Sequence, residues 1–367
     1  MKDKLQVYIG TFSTNLYSLK FDPETLEIED LHAIHDPGGR SAYLALDEEE
    51  KYLYVANEWM DGDGGLHAFR LNADGDPVYL NSIPAGTQGP AQLSTMKAYG
   101  KTFVLGAGLF EGDVMVCPTA DDGSLLPMSH NFYIYDFRTE EQLAGTEKFI
   151  KAGDMTVSGR GRAHGVKPVP GTNLVIIPDT LNGELYTFEL TPEGKLELKS
   201  VFSSPDFNCP RHMTFSKDGT KLYFLTERTS TLDAFDINRE TGELTLVYHS
   251  STLPDDYTGE NMSSAIHRSP DGRFVYLSNR GYDSIAVFRI DKPEIERVAI
   301  VSGEIAWPRE FLITPDGEFM LVGNQEIHTV SIFRINHETG IPEYTGKTFD
   351  MPEPGPASLI SIPKTDD

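Results

Sequence analysis

The amino-acid sequence predicts an all-β protein, a seven-bladed β-propeller, and three observations predict it. A hairpin-like segment recurs six times along the 367 residues at intervals near 50 residues. A second hairpin follows each copy of the first, which gives four short strands per repeat. The two chain ends resemble the missing strands of one more repeat. Such a period with four strands per unit is typical of propeller blades.

The first hairpin of each repeat is clearest in "RHMTFSKDGTKLYFLTE" (211–227), where a Lys-Asp-Gly turn joins two strands of alternating apolar residues. Related segments begin near residues 41, 91, 163, 264 and 309. The turn markers of the six copies are Glu50, Gly100, Gly171, Gly219, Gly272 and Gly317. The spacing is too long for a parallel β-helix, and no amphipathic helices of a βαβ repeat lie between the strands.

The second hairpins are exemplified by residues 230–249, in which "RETGEL" is the turn, and by residues 331–344 and 18–30. Residues 5–31 supply the later strands of a blade, and "GPASLISI" (355–362) supplies its innermost strand. Pairing of these N- and C-terminal strands closes the last blade and removes the open edges of the ring. We therefore expect residues 1–367 to form a single domain of seven blades.

One interval is longer than the others, with 71 residues between Gly100 and Gly171. The excess falls at about residues 127–161. We expect a loop over one mouth of the ring there, because long loops lie on the surface and often serve function.

The composition excludes several classes of function. The formal net charge is −25, with 31 Lys and Arg against 56 Asp and Glu. A field of this sign repels nucleic-acid backbones and anionic membrane surfaces, so neither is an expected partner. We expect a monomer or a weak homo-oligomer, and clusters of arginine stand out against the acidic background.

Two cysteines, Cys117 and Cys209, are too few for a disulfide scaffold. The N-terminus has no apolar run of signal-peptide length, and no apolar run is long enough to cross a membrane. The expected compartment is the cytoplasm. The sequence has no HExxH, phosphate-loop, GxSxG or paired CxxC motif, so no metal or other cofactor is expected.

Residues equally far from a hairpin turn lie at the same end of the hairpin, and the first hairpins of a propeller line its central channel. Eight residues before each marker are Ala42, Gln92, Ala163, Arg211, Ser264 and Arg309. Eight residues after each marker are Glu58, Gly108, Asp179, Glu227, Arg280 and Gln325. These positions predict a polar ring at one mouth of the channel, with His164 one residue inside it.

Each of these residues taken singly is more readily a solvated strand end or a weak rim ion pair than a catalytic group. His164 alone could be a structural histidine, and His267, three residues inside the line of Ser264, is more readily a packing residue. The functional interpretation rests on convergence, because Arg, Glu and His from different blades meet in one concave site.

At these residues the sequence resembles the propeller lactonase family, which groups bacterial 6-phosphogluconolactonases with fungal 3-carboxy-cis,cis-muconate lactonizing enzymes. The resemblance runs through nearly the whole chain, from "YIGTF" (8–12) and "YLYVANE" (52–58) to "WPREFLITPDGEFMLVGNQ" (307–325). It implies a catalytic set in which His164 of "AHGV", Arg211 of "CPR", Glu227 of "LTE" and Arg280 of "SNR" match the family's His, Arg, Glu and second Arg.

The chain also departs from the family. Many bacterial members have Pro-x-His where this chain has Pro90-Ala91-Gln92, and His-Ala-His where it has Arg162-Ala163-His164. These departures leave the identity of the substrate open.

The expected activity is hydrolysis of a small anionic sugar lactone such as 6-phosphogluconolactone. His164 is the candidate general base. Arg211 and Arg280 would stabilise the oxyanion and grip an anionic group, and Glu227 would orient Arg211 or His164 and offset the local positive charge. The candidates for substrate contact are Glu58, Arg162, His267, Arg309 and Gln325.

Two alternatives remain open at this point. The same arginines could serve a cycloisomerase that closes a muconate onto its own carboxylate. A non-catalytic propeller could instead offer one mouth to a protein partner; that hypothesis predicts an exposed apolar patch there.

Overall fold

The computed structural model contains seven four-stranded antiparallel sheets and one two-stranded sheet, and it describes residues 4–37, 40–58, 64–139, 148–152, 155–159, 161–203, 209–352 and 355–362. The prediction of a seven-bladed β-propeller is confirmed. The predicted extent of the domain, 1–367, stays a prediction. Across the described ranges, no helix is long and apolar enough to span a membrane.

Six blades follow one another along the chain, each with its strands in sequence order from the channel outwards. Blades 1 and 2 comprise β4 (Ser41–Leu46), β5 (Tyr52–Asn57), β6 (Gly65–Leu71), β7 (Pro77–Pro84), β8 (Gln92–Ala98), β9 (Lys101–Ala107), β10 (Asp113–Pro118) and β11 (His130–Tyr133). Blades 3 and 4 comprise β14 (Lys167–Pro168), β15 (Leu174–Asp179), β16 (Glu184–Leu190), β17 (Leu196–Ser203), β18 (Pro210–Phe215), β19 (Lys221–Thr226), β20 (Thr231–Ile237) and β21 (Leu244–Ser251). Blades 5 and 6 comprise β22 (Met262–Arg268), β23 (Phe274–Arg280), β24 (Ser284–Arg289), β25 (Glu296–Ser302), β26 (Pro308–Ile313), β27 (Phe319–Asn324), β28 (Thr329–Ile335) and β29 (Pro342–Asp350).

Blade 7 joins the two ends of the chain. Its strands are β30 (Pro356–Ser361), β1 (Leu5–Thr11), β2 (Asn15–Asp22) and β3 (Glu27–His35). β30 pairs antiparallel with β1, with Ile9 opposite Leu359. β30 also contacts the innermost strands of blades 6 and 1, so the ring is closed. The predicted pairing of the termini is confirmed.

The long interval between blades 2 and 3 is not all loop. Residues 130–133 form β11, the outermost strand of blade 2, and a 3-10 turn follows at Ile134–Phe137. β12 (Lys148–Ala152) and β13 (Met155–Gly159) then pair in a separate two-stranded sheet. Residues 140–147, 153–154 and 160 lie outside the described residues. The expected loop is therefore shorter, because blade 2 takes its fourth strand from it.

The hydrophobic core consists of seven clusters within the described residues, each between two adjacent blades. Between blades 6 and 7, for example, Ile9, Phe21 and Leu359 pack with Leu312 and Phe319. Each sheet therefore buries both faces against its neighbours, and each cluster needs both of its blades.

Truncating Leu359 tests how much closure of the ring contributes to the stability of the protein. Leu359 is 5% exposed in the last strand, so Leu359→Ala should lower the free energy of unfolding by about 2–5 kcal/mol, the usual cost of emptying a packed leucine site. The matched control is Leu198→Ala on outer strand β17, where the side chain is 37% exposed, with an expected change within about 0.5 kcal/mol. Equal shifts of the two variants in chemical denaturation would contradict the role of β30 in closing the ring.

Candidate active site at one mouth of the channel

The first hairpins of blades 1, 4 and 6 begin with the same backbone conformation. In each, a non-glycine residue adopts left-handed φ near +50°, two positions before a β-bulge in the innermost strand. The left-handed residues are Arg40, Cys209 and Trp307, and the bulged residues are Ala42, Arg211 and Arg309. Bulges re-aim side chains beside active sites, and here they turn two arginines at the mouth of the channel.

The hairpin register differs from the sequence prediction by two residues. Equal distances from Gly219 place Arg211 opposite Glu227, but the Glu227 N–H donates to the Cys209 carbonyl, 2.8 Å away. One residue of the difference arises because the turn is centred between Asp218 and Gly219, with Phe215 opposite Leu222, and the other arises from the bulge at Arg211. The bulge nevertheless returns the Arg211 side chain toward Glu227, with 3.7 Å between Nε and Oε1.

Glu227 lies between two buried arginines. Its Oε1 accepts a hydrogen bond from Arg280 Nη2 at 2.6 Å, and Arg280 Nε donates to the Met262 carbonyl at 3.0 Å. Burial alone would raise the pKa of Glu227, but Arg280, Arg211 and His164 together lower it to about 2. Glu227 is therefore ionised and fixes both guanidinium groups.

Arg211 is held on one side of its guanidinium group. Nη1 donates to the Ser264 carbonyl and to His212 Nδ1, the latter at 3.1 Å. Nη2 donates no hydrogen bond within the described ranges. Burial and the neighbouring Arg280 lower the pKa of Arg211 to about 9, so the group is still charged at neutral pH.

Arg309 stands over the ring of Phe12, with 4.7 Å from its guanidinium carbon to the ring centroid. Among the described residues its guanidinium group has no hydrogen-bond acceptor and no carboxylate within 4.0 Å. Burial, with Arg280, lowers its pKa. Glu58 is buried near Arg309, and burial raises the pKa of its carboxyl despite the positive charge of that arginine. Gln325 lies at the same blade position as Glu58, after β27, and its N–H donates to the Trp307 carbonyl.

His164 lies in an irregular segment before the short strand β14. Ala163 bridges to Asp179, and the Val166 N–H donates to Gln92 Oε1 at 2.8 Å. Gly165 is required between them, since a Cβ there would stand 2.7 Å from the Arg211 carbonyl oxygen. Burial and Arg211 lower the pKa of His164 to about 3, against the opposing effect of Glu227, so its imidazole is neutral at pH 7.

The other two predicted residues have different surroundings. Arg162 is buried, its backbone N–H donates to Asp179 Oδ1 at 3.0 Å, and burial lowers the pKa of its side chain. His267 Nε2 lies 2.7 Å from Glu310 Oε1, and its ring packs edge-on against Phe311. The described contacts of His267 are thus with residues of blade 6, and its role, in substrate binding or in packing, stays a prediction.

Sequence reasoning missed His212. In a regular strand the neighbour of Arg211 would face the other side of the sheet. The bulge brings both side chains into contact, and the His212 ring packs edge-to-face against His164, with centroids 5.3 Å apart. Burial and Arg211 lower the pKa of His212 well below its ordinary value. The only signal in the sequence was its adjacency to Arg211 in "CPRH".

The arrangement offers fixed cationic donors beside a neutral imidazole. Such a set can hold an anion, stabilise a developing oxyanion and accept a proton. Nowhere in the described ranges do three or more His, Cys, Asp or Glu side chains cluster as metal ligands.

Known proteins share the sequence pattern of this chain over most of its length. The sequence matches the family model described as "Lactonase, 7-bladed beta-propeller" over residues 6–358. A 6-phosphogluconolactonase of Bacillus subtilis is 31% identical over 318 residues, which cover 83% of this chain and 84% of that protein. An uncharacterised protein of Lactococcus lactis is 28% identical, with coverage of 85% and 86%.

Solved structures share the fold. The periplasmic gluconolactonase of Pseudomonas aeruginosa superposes with a TM-score of 0.86 at 23% identity, covering 98% of this chain and 99% of that one. A putative 6-phosphogluconolactonase from Bacteroides fragilis gives a TM-score of 0.82 at 24% identity, covering 98% of each chain. At such identities the likeness shows the fold alone.

Replacing Glu227 by glutamine tests the buried ion cluster. Glu227→Gln should destabilise the protein by about 3–5 kcal/mol at pH 7, because it leaves two buried guanidinium groups without their carboxylate. The carboxyl ionises near 4.5 in the unfolded chain and near 2 in the folded protein, so its contribution is lost as pH falls from 4.5 toward 2. The difference between wild type and variant should shrink over that range.

The control is Asp236→Asn, which breaks an exposed pair with Lys221 and should cost no more than about 1 kcal/mol. Thermal denaturation across pH measures both variants. A Glu227→Gln protein as stable as this control at pH 7 would contradict the assignment.

Proposed function

Because this chain belongs to the family of seven-bladed β-propeller lactonases, we propose that it hydrolyses the ester bond of an anionic sugar lactone, with 6-phosphogluconolactone as the first candidate. The observation that carries the proposal is the cluster of Arg211, Arg280 and Arg309 beside the neutral imidazole of His164. The name of the Bacillus subtilis relative supports the choice of substrate.

An anionic substrate is favoured by the charges at the mouth. The protein as a whole carries a net charge of −25, yet three arginines gather at this mouth, where Glu227, Glu58 and Glu310 offset their charge and Glu310 also contacts His267. Burying guanidinium groups costs free energy unless an anion compensates. The phosphate of a phosphorylated sugar lactone would supply that charge to Arg309, whose guanidinium group meets only the Phe12 ring in the described part of the chain.

The proposed reaction begins with a water molecule beside His164. The imidazole accepts a proton from the water, whose oxygen attacks the lactone carbonyl carbon. Arg211 stabilises the oxyanion through Nη2. The ring C–O bond then breaks, and His164 returns the proton to the departing oxygen, which gives the open-chain hydroxy acid.

The remaining residues bind and orient. Arg280 and Arg309 hold the phosphate, and Glu227 fixes Arg280 and Arg211 in place. Glu58, Gln325 and Arg162 contact sugar hydroxyl groups. Binding of an anion beside Arg211 would raise the low pKa of His164, because it offsets the positive charge that disfavours the imidazolium.

An assay with freshly prepared 6-phosphogluconolactone tests the proposal once spontaneous hydrolysis has been subtracted. His164→Ala should lower kcat about 100- to 10,000-fold, as loss of a general base does. Arg280→Ala should raise KM about 10- to 100-fold, since hydrogen bonds to charged groups contribute about 1.5–3 kcal/mol.

The control is Arg70→Ala, an exposed arginine at the opposite end of blade 1, which should leave both constants unchanged. If the His164→Ala and Arg280→Ala proteins hydrolysed every tested lactone as fast as wild type, that result would contradict the proposed site. Conversion of a muconate without lactone hydrolysis would indicate the cycloisomerase instead.

The dependence of kcat/KM on pH tests the protonation state of His164. A base is active when unprotonated, so an ordinary imidazole would lose activity below about pH 6.5. The lowered pKa keeps His164 unprotonated in weak acid. Because kcat/KM reports both the free enzyme and the free substrate, it should stay level from about pH 8 to about pH 5 once the ionisation of the substrate's own phosphate, with a pKa of about 6, has been allowed for. A tenfold loss per pH unit below 6.5 would contradict this assignment.

A further inference from the structure

His212 is a buried titratable residue that the proposed reaction does not use. Its side chain touches two members of the site, because Nδ1 lies 3.1 Å from Arg211 Nη1 and the ring packs against His164. On its other side the ring packs edge-on against Tyr43, whose hydroxyl accepts a hydrogen bond from Gln92 Nε2 at 3.3 Å. His212 therefore connects the arginine and the candidate base with Tyr43 of blade 1, on the far side of the channel.

The contact with Arg211 fixes the protonation of His212. An arginine nitrogen donates and never accepts, so Nδ1 must be the acceptor and carries no proton. The single proton of the neutral ring then belongs to Nε2. An imidazolium would place a second N–H against the guanidinium, which the geometry forbids.

We propose that His212 is a positioning residue for the reaction, accepting a hydrogen bond from Arg211 through Nδ1 and thereby orienting Nη2 toward the substrate oxyanion. This inference rests on the proposed function. Three groups hold Arg211: the Ser264 carbonyl, Glu227 and His212. The first lies in blade 5 and the other two in blade 4, so the guanidinium plane is fixed from two blades.

Packing alone does not account for an imidazole here. His212 is 5% exposed, and its Nε2 is buried without a hydrogen-bond partner in the described part of the chain. A buried unpaired donor costs about 1–3 kcal/mol, which a phenylalanine of similar shape would avoid. Unlike phenylalanine, histidine has a ring nitrogen that can accept the hydrogen bond from Arg211.

Two substitutions separate positioning from packing. His212→Asn keeps an acceptor near the place of Nδ1 and loses the ring; His212→Phe keeps the ring and loses the acceptor. Positioning predicts that kcat falls about 100-fold in His212→Phe, the cost of a misplaced reacting group, with little change in KM. His212→Asn should retain kcat within about tenfold of wild type although it is the less stable protein.

The opposite ranking, with His212→Phe active and His212→Asn inactive, would overturn the proposal. So would equal losses in both variants. His337→Gln is the control, because His337 is exposed in the turn between β28 and β29 at the other mouth, and it should match wild type in every assay.

Nitrogen NMR of histidine-labelled protein gives a readout independent of turnover. The spectrum of wild type at neutral pH, with the signal of His212 identified by its loss in His212→Asn, should show an unprotonated Nδ1 and a protonated Nε2. A protonated Nδ1 would overturn the contact. Absence of lactonase activity in the wild type would overturn the proposed function, while the spectrum would still decide the state of His212 by itself.

Discussion

Everything at the mouth of the channel depends on closure of the ring by the pairing of β30 with β1. Within the described residues, seven apolar clusters lie between adjacent blades, so each blade is stabilised by both of its neighbours. Closure also removes the exposed sheet edges that an open array would present. Residues as distant in sequence as Glu58 and Arg309 become neighbours only because the last blade returns to the first.

Within this frame the site is a buried electrostatic cluster. Glu227 is ionised between Arg211 and Arg280, while burial, together with Arg211 and Arg309, lowers the pKa of the neighbouring imidazoles of His164 and His212. Burying so many charged groups is costly, and enzymes tolerate that cost where preorganised dipoles and charges are needed. The left-handed backbone at Cys209 and Trp307 is a further local cost at the positions that aim two of the arginines.

The sequence was sufficient to predict the seven blades, the closing strand and the meeting of Glu227 with Arg211, because hydrophobic alternation and turn residues repeat with the blades. It was insufficient for the register, since nothing in local composition marks a β-bulge. The same bulge explains why the sequence did not predict His212 at the site, because regular strand alternation places its side chain on the other face of the sheet. The substrate contact predicted for His267 stays a prediction, and the described contacts of this residue are with Glu310 and Phe311.

A crystal structure of the protein with 6-phosphogluconate, the hydrolysis product of the proposed substrate, tests the central claim most directly. We expect the ligand to lie at the mouth that holds Arg211, with its phosphate on Arg280 and Arg309. Its new carboxylate should lie within hydrogen-bond distance of Arg211 Nη2 and near His164. Product bound at the opposite mouth or between blades, with these arginines untouched, would contradict it.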